Sequence, residues 1–322
     1  MQNVTLKNCS EGLLLCGQRD KNYLAEQGRH FVGEDSQVLF DSCEEIVFDG
    51  DGSEFVFAGR WHGFLVRNCK NILLKNFSVD YSDCIQLCGR IVGGGENYVE
   101  ILPQTPYRAE ALQDVREYLE FYPDRPKPYE RGNFLYNCGK ICSILSVKER
   151  GEVIHAEFSE KIRKPKVGNR AALCFTMYGH NALRFENCKD VRVENVTVYT
   201  APGMALYAEN SEDLSFDGYR LQLKPGSGRL MTATADGMHF KNCRGDLTVR
   251  NCLIENCHDD AFNCAGMYME VLEKEGGGLS VRSPLGMWAT YEPQAGDTLE
   301  ICGKADLKAK GTAIVLCAER QT

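Results

Sequence analysis

The sequence predicts an all-β chain, a right-handed parallel β-helix interrupted by inserted β-barrel-like subdomains. Three observations carry that expectation. A short template, N-C-K-x-φ-x-φ-x-N-x-x-φ with φ apolar, recurs along the 322 residues. Each copy contains an alternating apolar stretch of strand type. No helical periodicity accompanies these strands, and the leucine consensus of a leucine-rich repeat is absent. A β-sandwich would not produce so regular an in-register repeat.

The elements follow in order. Residues 1–88 form the N-terminal coils. Degenerate copies begin at Asn8-Cys9 and Ser42-Cys43, and a full copy runs Asn68-Cys69-Lys70-Asn71-Ile72-Leu73-Leu74-Lys75-Asn76-Phe77-Ser78-Val79. Residues 89–175 lose the template. A proline-rich stretch, 103–128, gives way to alternating segments such as Val153-Ile154-His155-Ala156-Glu157-Phe158, which reads as an inserted β-rich subdomain. Residues 176–264 recover the template at Asn187-Cys188-Lys189-Asp190-Val191, and again, one residue longer, from Asn242-Cys243-Arg244 to Asn251-Cys252. Leu214-Ser215-Phe216-Asp217-Gly218 matches its middle, and Val191 and Leu214 are 23 positions apart, one short coil. Residues 265–322 leave the template once more. Segments 267–271, 279–281 and 312–317, with the turn glycines Gly276-Gly277-Gly278, read as part of a second β-rich module. Asn at a fixed turn position tolerates left-handed dihedrals and can bond between coils.

The formal net charge is −8. Nucleic acid and anionic membrane surfaces need clustered positive charge, so neither is an expected partner. No apolar run approaches the ~18 residues of a membrane helix. The start, Met1-Gln2-Asn3-Val4-Thr5, lacks the basic and apolar regions of a signal peptide, so a cytoplasmic location is expected as the chain stands, and a secreted or periplasmic one if a leader precedes it. The 16 cysteines contain no C-x-x-C pair and recur at fixed template positions. They are expected as reduced interior thiols forming a ladder, not as disulfides. The six histidines show no zinc spacing. Neither cofactor nor metal is expected.

Aligning coils on the N-C pair makes columns. Leu183, Leu206, Met238 and Phe262 share one column and should face the core. Arg184, Tyr207, His239 and Asn263 share the next and should face outward. Asn181, Asp236 and Asp260 stack just before, with His62 in the same column. Coils stack ~4.8 Å apart, so Asp236, Asp259 and Asp260 form one carboxylate patch, flanked by His239, Asn263, Arg184, Tyr207 and His258. Mutual repulsion should raise at least one proton affinity. A raised acid beside an ionised carboxylate suits glycoside hydrolysis. Two other readings stay open at this point, aspartates placed only because turns favour them and a calcium site.

Thr234-Ala235-Asp236-Gly237-Met238-His239-Phe240, then Asn251-Cys252, then Asp259-Asp260-Ala261-Phe262-Asn263 resembles glycoside hydrolase family 110, the β-helix exo-acting α-1,3-galactosidases. Residues 52–60, 75–81 and 198–204 fit as well, so the resemblance covers most of residues 40–270, including the place where that family inserts a β-barrel module. It implies an inverting hydrolase that removes terminal α-linked galactose from an oligosaccharide or glycoconjugate. It places the catalytic carboxylates on Asp236, Asp259 and Asp260. Asp259 is then the general acid, and Asp236 with Asp260 activates water. The substrate-binding set is His239, Asn263, Arg184, Tyr207, Asn181, His62 and Arg60. Asn263-Cys264-Ala265-Gly266 departs from the valine-histidine-glycine run usual there. The glycine-histidine-glycine and arginine-isoleucine-lysine elements of polygalacturonases are missing after Asp260, and a polyuronate site would need more basic residues. Arg229, in the Gly-rich excursion before Asp236, and Trp61 are weaker candidates for the pocket rim. An inactive carbohydrate-binding or structural β-helix, or a β-helix hydrolase for another sugar, are the alternatives.

Overall fold

The computed structural model describes residues 4–5, 13–15, 36–59, 61–82, 85–135, 144–176, 178–266, 268–282 and 293–319. It divides into two compact units, Met1–Ala265 and Gly266–Thr322.

The first unit is a parallel β-helix. One sheet stacks Val4–Thr5, Glu44–Phe57, Lys70–Tyr81, Lys189–Val198, Glu212–Asp217 and Arg244–Arg250. The other stacks Ser36–Asp41, His62–Arg67, Leu183–Glu186, Leu206–Glu209, Met238–Lys241 and Phe262–Ala265. Every pairing in both is parallel. Each coil thus gives one strand to each sheet. A short third ladder joins Arg220–Leu221 to Leu253–Ile254, with bridges Ala201–Ala233–Cys257. The Asn8-Cys9 copy lies outside the described residues, whereas the Ser42-Cys43 copy opens the strand that pairs with Lys70–Tyr81.

The alternating pattern fills the space between the sheets. Ile72, Val191 and Leu214 form one buried column, and Leu74, Val193 and Phe216 the next. Phe48, Phe55, Phe57 and Phe64 are fully buried at the N-terminal end, in mostly edge-to-face contact. Leu183, Leu206 and Met238 are fully buried, as their column predicts. Phe262 shares their register but is 46% exposed, since no described coil of this unit stacks beyond it.

The Asn and Cys of the template do separate work. Asn68, Asn187, Asn210 and Asn242 turn each coil with φ between 49° and 54°. Their amides reach along the stack, Asn187 Nδ2 to Asn68 Oδ1 at 3.2 Å and Asn242 Nδ2 to Asn210 Oδ1 at 3.4 Å. The cysteines make the expected ladder. The Cys43 N–H donates to Cys69 Sγ at 3.3 Å, and each thiol donates back to the carbonyl two residues earlier, Cys69 to Arg67 and Cys188 to Glu186. One rung is a serine: the Cys188 N–H donates to Ser211 Oγ at 3.0 Å. Cys69 and Cys188 are buried and free of disulfides; Cys243, expected to be buried, is only half-buried, because it lies in the exposed-end coils.

Between Tyr81 and Leu183 the chain leaves the helix, yet Lys70 pairs directly with Lys189 across the gap. The excursion is a seven-stranded antiparallel sheet in the order Phe134–Leu135, Glu117–Phe121, Arg170–Cys174, Gln86–Gly94, Tyr98–Pro103, Val153–Phe158, Ile144–Arg150. Its outermost strands are consecutive in the chain. It starts at Gln86, a few residues before the position 89 read from the template. The proline-rich stretch holds a 3-10 turn, Ala109–Asp114, and the wholly buried strand Glu117–Phe121. One face has its own core around Leu87, Ile101, Tyr118, Phe158 and Leu173. The other presents Cys88, Leu119, Phe121, Ala172 and Cys174 to Leu230 and Met231 of the helix. Gln86 fastens this seat: its Nε2 donates to the Met231 carbonyl at 2.6 Å, and its Oε1 accepts from the Met231 N–H at 3.2 Å.

The second unit contains two hairpins, Glu270–Glu275 with Gly278–Arg282 and Thr298–Cys302 with Ala309–Ile314. The strand expected over 267–271 begins at Glu270, and left-handed Gly276 and Gly277 make its turn.

Candidate active site

Two outward columns run along the second sheet. His62, Asn181, Met204, Asp236 and Asp260 follow one another down the stack. The Gly63 N–H donates to the Asn181 carbonyl, Ala182 to Met204, Ala205 to Asp236 and Gly237 to Asp260, at 2.8–3.2 Å. The next outward column is Leu65, Arg184, Tyr207, His239 and Asn263. A reason for the small residue after each polar one is visible at Gly237. A Cβ there would lie 2.4 Å from Ile254 Cγ2 and 2.8 Å from the Ala261 carbonyl. Gly63, Ala182, Ala205 and Ala261 occupy the same narrow column. The strand entry thus presses close to the neighbouring coil at Gly237.

Asp236 is 3% exposed, and its Oδ2 lies 2.6 Å from His239 Nδ1. The His239 ring rests on Tyr207, centroids 5.4 Å apart. One coil on, the same i,i+3 pairing recurs with Asn263 in place of His: its Nδ2 donates to Asp260 Oδ2 at 3.2 Å. Asp259, exposed beside Asp260, accepts the hydroxyl of Tyr178. Burial, that bond, and the charges of Asp259, Asp236 and Glu117 push the Tyr178 phenol above its ordinary range. Tyr178 therefore stays a hydrogen donor in the middle of a carboxylate cluster.

A fourth carboxylate belongs to this neighbourhood. Glu117, from the inserted sheet, and His258 are fully buried side by side, with Glu117 Oε2 2.5 Å from His258 Nδ1. Burial pushes the Glu117 carboxyl up and Asp259 adds to the rise, while His258 opposes it. The rise at Glu117 comes first from burial, a different cause from the mutual repulsion expected within the Asp trio. His258, expected on the patch, is turned into the interface with the insertion, where it also meets Phe134 edge-on at 5.0 Å.

Other expected contacts are committed elsewhere. The Arg184 guanidinium bonds to Glu186 and, at 3.0 Å, to Glu209, and it lies over the Tyr207 ring at 5.0 Å. The Tyr207 hydroxyl also donates to Glu209, at 2.8 Å. His62 and Asn181 tie coils together: the Asn181 N–H donates to His62 Nδ1 at 2.8 Å, and Asn181 Oδ1 accepts from the Met204 N–H at 3.1 Å. Burial, then the charges of Arg184 and His180, push His62 down to about 3. Trp61 lies near His180, ring centroids 6.4 Å apart. Arg229 does not rim the patch through a free guanidinium, for it binds Asp80 at 2.6 Å and the Tyr81 carbonyl at 3.1 Å. Arg60 lies outside the described residues. Among the described residues no three His, Cys, Asp or Glu side chains converge as metal ligands do.

Tyr178, Glu117 and Glu209 escape a reading of the sequence. The first two lie outside the repeat and reach the patch only through the packing of the insertion. Glu209 has a signal, since it shares an outward column with Glu186.

No protein-family model matches the chain. Among curated proteins it is 28% identical over 247 residues to α-1,3-galactosidase A of Shewanella woodyi, covering 71% of this chain and 40% of that one. It is 29% identical over 253 residues to α-1,3-galactosidase B of Parabacteroides distasonis, covering 73% and 40%. With α-1,3-galactosidase A of Bacteroides thetaiotaomicron the identity is 27% over 252 residues, covering 73% and 43%. The chain resembles the α-1,3-galactosidases. It spans about two fifths of the length of these curated relatives. The galactosidase likeness agrees with the resemblance carried by the residues around Asp236 and Asp259.

Proposed function

We propose that this chain carries the acid/base coils of an exo-acting glycoside hydrolase that removes terminal α-linked galactose with inversion. The observation that carries this reading is the placing of Asp236 and Asp260 on successive coils, with Asp259 beside them. The similarity to proteins named α-1,3-galactosidases supports it. The acid Asp259 and the base Asp236 stand on successive coils, about 4.8 Å apart along the stack and one residue out of register, and an inverting cleavage asks for ~6.5–9.5 Å between the two carboxyl groups. In this reading Asp259 protonates the leaving oxygen, and Asp236 with Asp260 draws the proton from the attacking water. His239 and Asn263, fixed by those aspartates, offer polar edges to sugar hydroxyls. A neutral substrate fits the electrostatics, because Arg184 is already matched by Glu186 and Glu209.

The test is incubation of the purified chain with aryl α- and β-galactosides and galactose-terminated oligosaccharides, followed by proton NMR of the first anomer released. Cleavage of α-linkages giving β-galactose first is expected. Release of α-galactose overturns inversion, and cleavage of internal linkages overturns exo action. Variants then separate the roles. Asp259→Asn is expected to lose about 100-fold or more in kcat on sugar leaving groups and far less on good aryl ones, which depart without full protonation. Asp236→Asn and Asp260→Asn should slow both kinds alike. The reverse pattern would exchange the acid and base assignments.

A further inference from the structure

The Tyr178 phenol reaches Asp259 from 81 positions upstream. Tyr178 lies in the link between the last strand of the insertion, Arg170–Cys174, and the helix strand Leu183–Glu186. Its φ is +51°. The other left-handed non-glycine residues described in Met1–Ala265 are Asn, Asp, Ser or Glu. A bulky aromatic is strained in that region, and such strain persists where the surroundings over-determine it. Here the turn aims the ring into the carboxylate cluster, and the hydroxyl ends on Asp259.

We propose that Tyr178 is a positioning residue for Asp259, its hydroxyl holding the carboxyl in the orientation from which it protonates the departing oxygen. This rests on the reading of Asp259 as general acid. The insertion supports the same turn from behind. His258, the preceding residue, is sealed against Glu117 and Phe134. His258 and Asp259 share a bend in which His258 is buried and Asp259 exposed, so anchoring His258 inward leaves Asp259 facing out toward Tyr178. The Thr176 and Thr234 hydroxyls, 3.4 Å apart, pin the start of the link to the coil of Asp236. The acid is thereby placed by two elements outside the repeat.

The experiment compares Tyr178→Phe with Asp259→Asn. Tyr178→Phe keeps the ring and removes only the donor. Its kcat on galactosides with sugar leaving groups should fall about 10–100-fold, with KM within about 3-fold, and the loss should shrink on good aryl leaving groups. A merely structural tyrosine would lower both substrate kinds by the same factor. That outcome, or no loss at all, overturns the proposal while a leaving-group-selective Asp259→Asn keeps the hydrolase reading. An Asp259→Asn variant that loses nothing overturns both. A second measurement does not depend on activity. In protein labelled with 13C at tyrosine Cζ, the resonance lost in Tyr178→Phe identifies this residue among the 14 tyrosines. Its Cζ shift at neutral pH should move in Asp259→Asn, because the charged acceptor of the hydroxyl has gone. An unchanged shift shows that the contact is absent and overturns the proposal.

Discussion

His62 is a buried imidazole used as an acceptor, and that use makes it sensitive to acid. Its Nδ1 receives the Asn181 N–H, so the neutral form fits and the protonated form loses the bond. Burial and the nearby Arg184 hold its pKa at about 3 against an ordinary 6.5. A histidine depressed on folding contributes stability that is complete above about pH 6.5 and is lost as pH falls toward about 3. The unfolded chain takes up a proton in that window and the folded one does not. The slope approaches about 1.4 kcal/mol per pH unit. His62→Asn retains an acceptor near the same place and removes the titration. Its melting temperature should therefore fall less than that of the parent between pH 7 and pH 5, and parallel curves would show that His62 is not the group responsible. The contrast with Arg184 shows what a column can and cannot reveal. Alternation places Arg184 outward, and it is outward, but the same alternation brings Glu186 and Glu209 to it. An isolated cation in the sequence becomes a matched one in the stack, and its expected freedom to hold a sugar disappears.

At the scale of the coil, the recurring Cys is a hydrogen-bonding rung with an apolar body. Sulfur accepts from the preceding coil's backbone and donates to its own, so an N–H at this interior edge finds a partner in the next rung. Ser211 performs the same exchange with oxygen, accepting from Cys188 and donating to the Glu209 carbonyl at 2.9 Å. Ser211→Ala should cost about 1–3 kcal/mol in urea unfolding, since the buried Cys188 N–H loses its acceptor. Ser211→Cys should cost less than about 1 kcal/mol, because neighbouring rungs already use the thiol. Equal losses for the two variants would assign the effect to packing volume and not to the bond. This rung also explains which coils were legible. Asn-Cys pairs announced themselves by repetition, while Asn210-Ser211 hid one coil behind a change of atom, so only its middle, Leu214 to Gly218, matched the template. The strand Glu117–Phe121 was illegible for another reason. Its faces are buried by two different partners, so no alternation marks it, and the prolines around it suggest an irregular segment.

The molecule as a whole joins a repetitive body to a non-repetitive one, and the join lies beside the carboxylates. Leu230 and Met231 carry the inserted sheet, and Gln86 satisfies their backbone from across the seam. Gln86→Leu leaves the Met231 carbonyl and two N–H groups without that partner. A loss of at least about 2 kcal/mol is expected in denaturant unfolding, and a loss below about 0.5 kcal/mol would mean that the seat is held by its apolar contacts alone. The helix imposes a different constraint on any chemistry it hosts. Successive coils are locked by backbone bonds at a pitch of about 4.8 Å, so side chains on one outward column sit on a notched rail. Reach along the rail changes by whole notches and never by fractions. A retaining cleavage needs its two carboxyls about 5–5.5 Å apart and an inverting one about 6.5–9.5 Å. Moving either member of an acid and base pair such as Asp259 and Asp236 by a single coil therefore changes the gap by up to about 4.8 Å, enough to cross from one range to the other. On this scaffold, a change of reaction geometry comes as a jump between rungs, with the fine adjustment left to lateral offset and to the residues that lean in from outside the repeat.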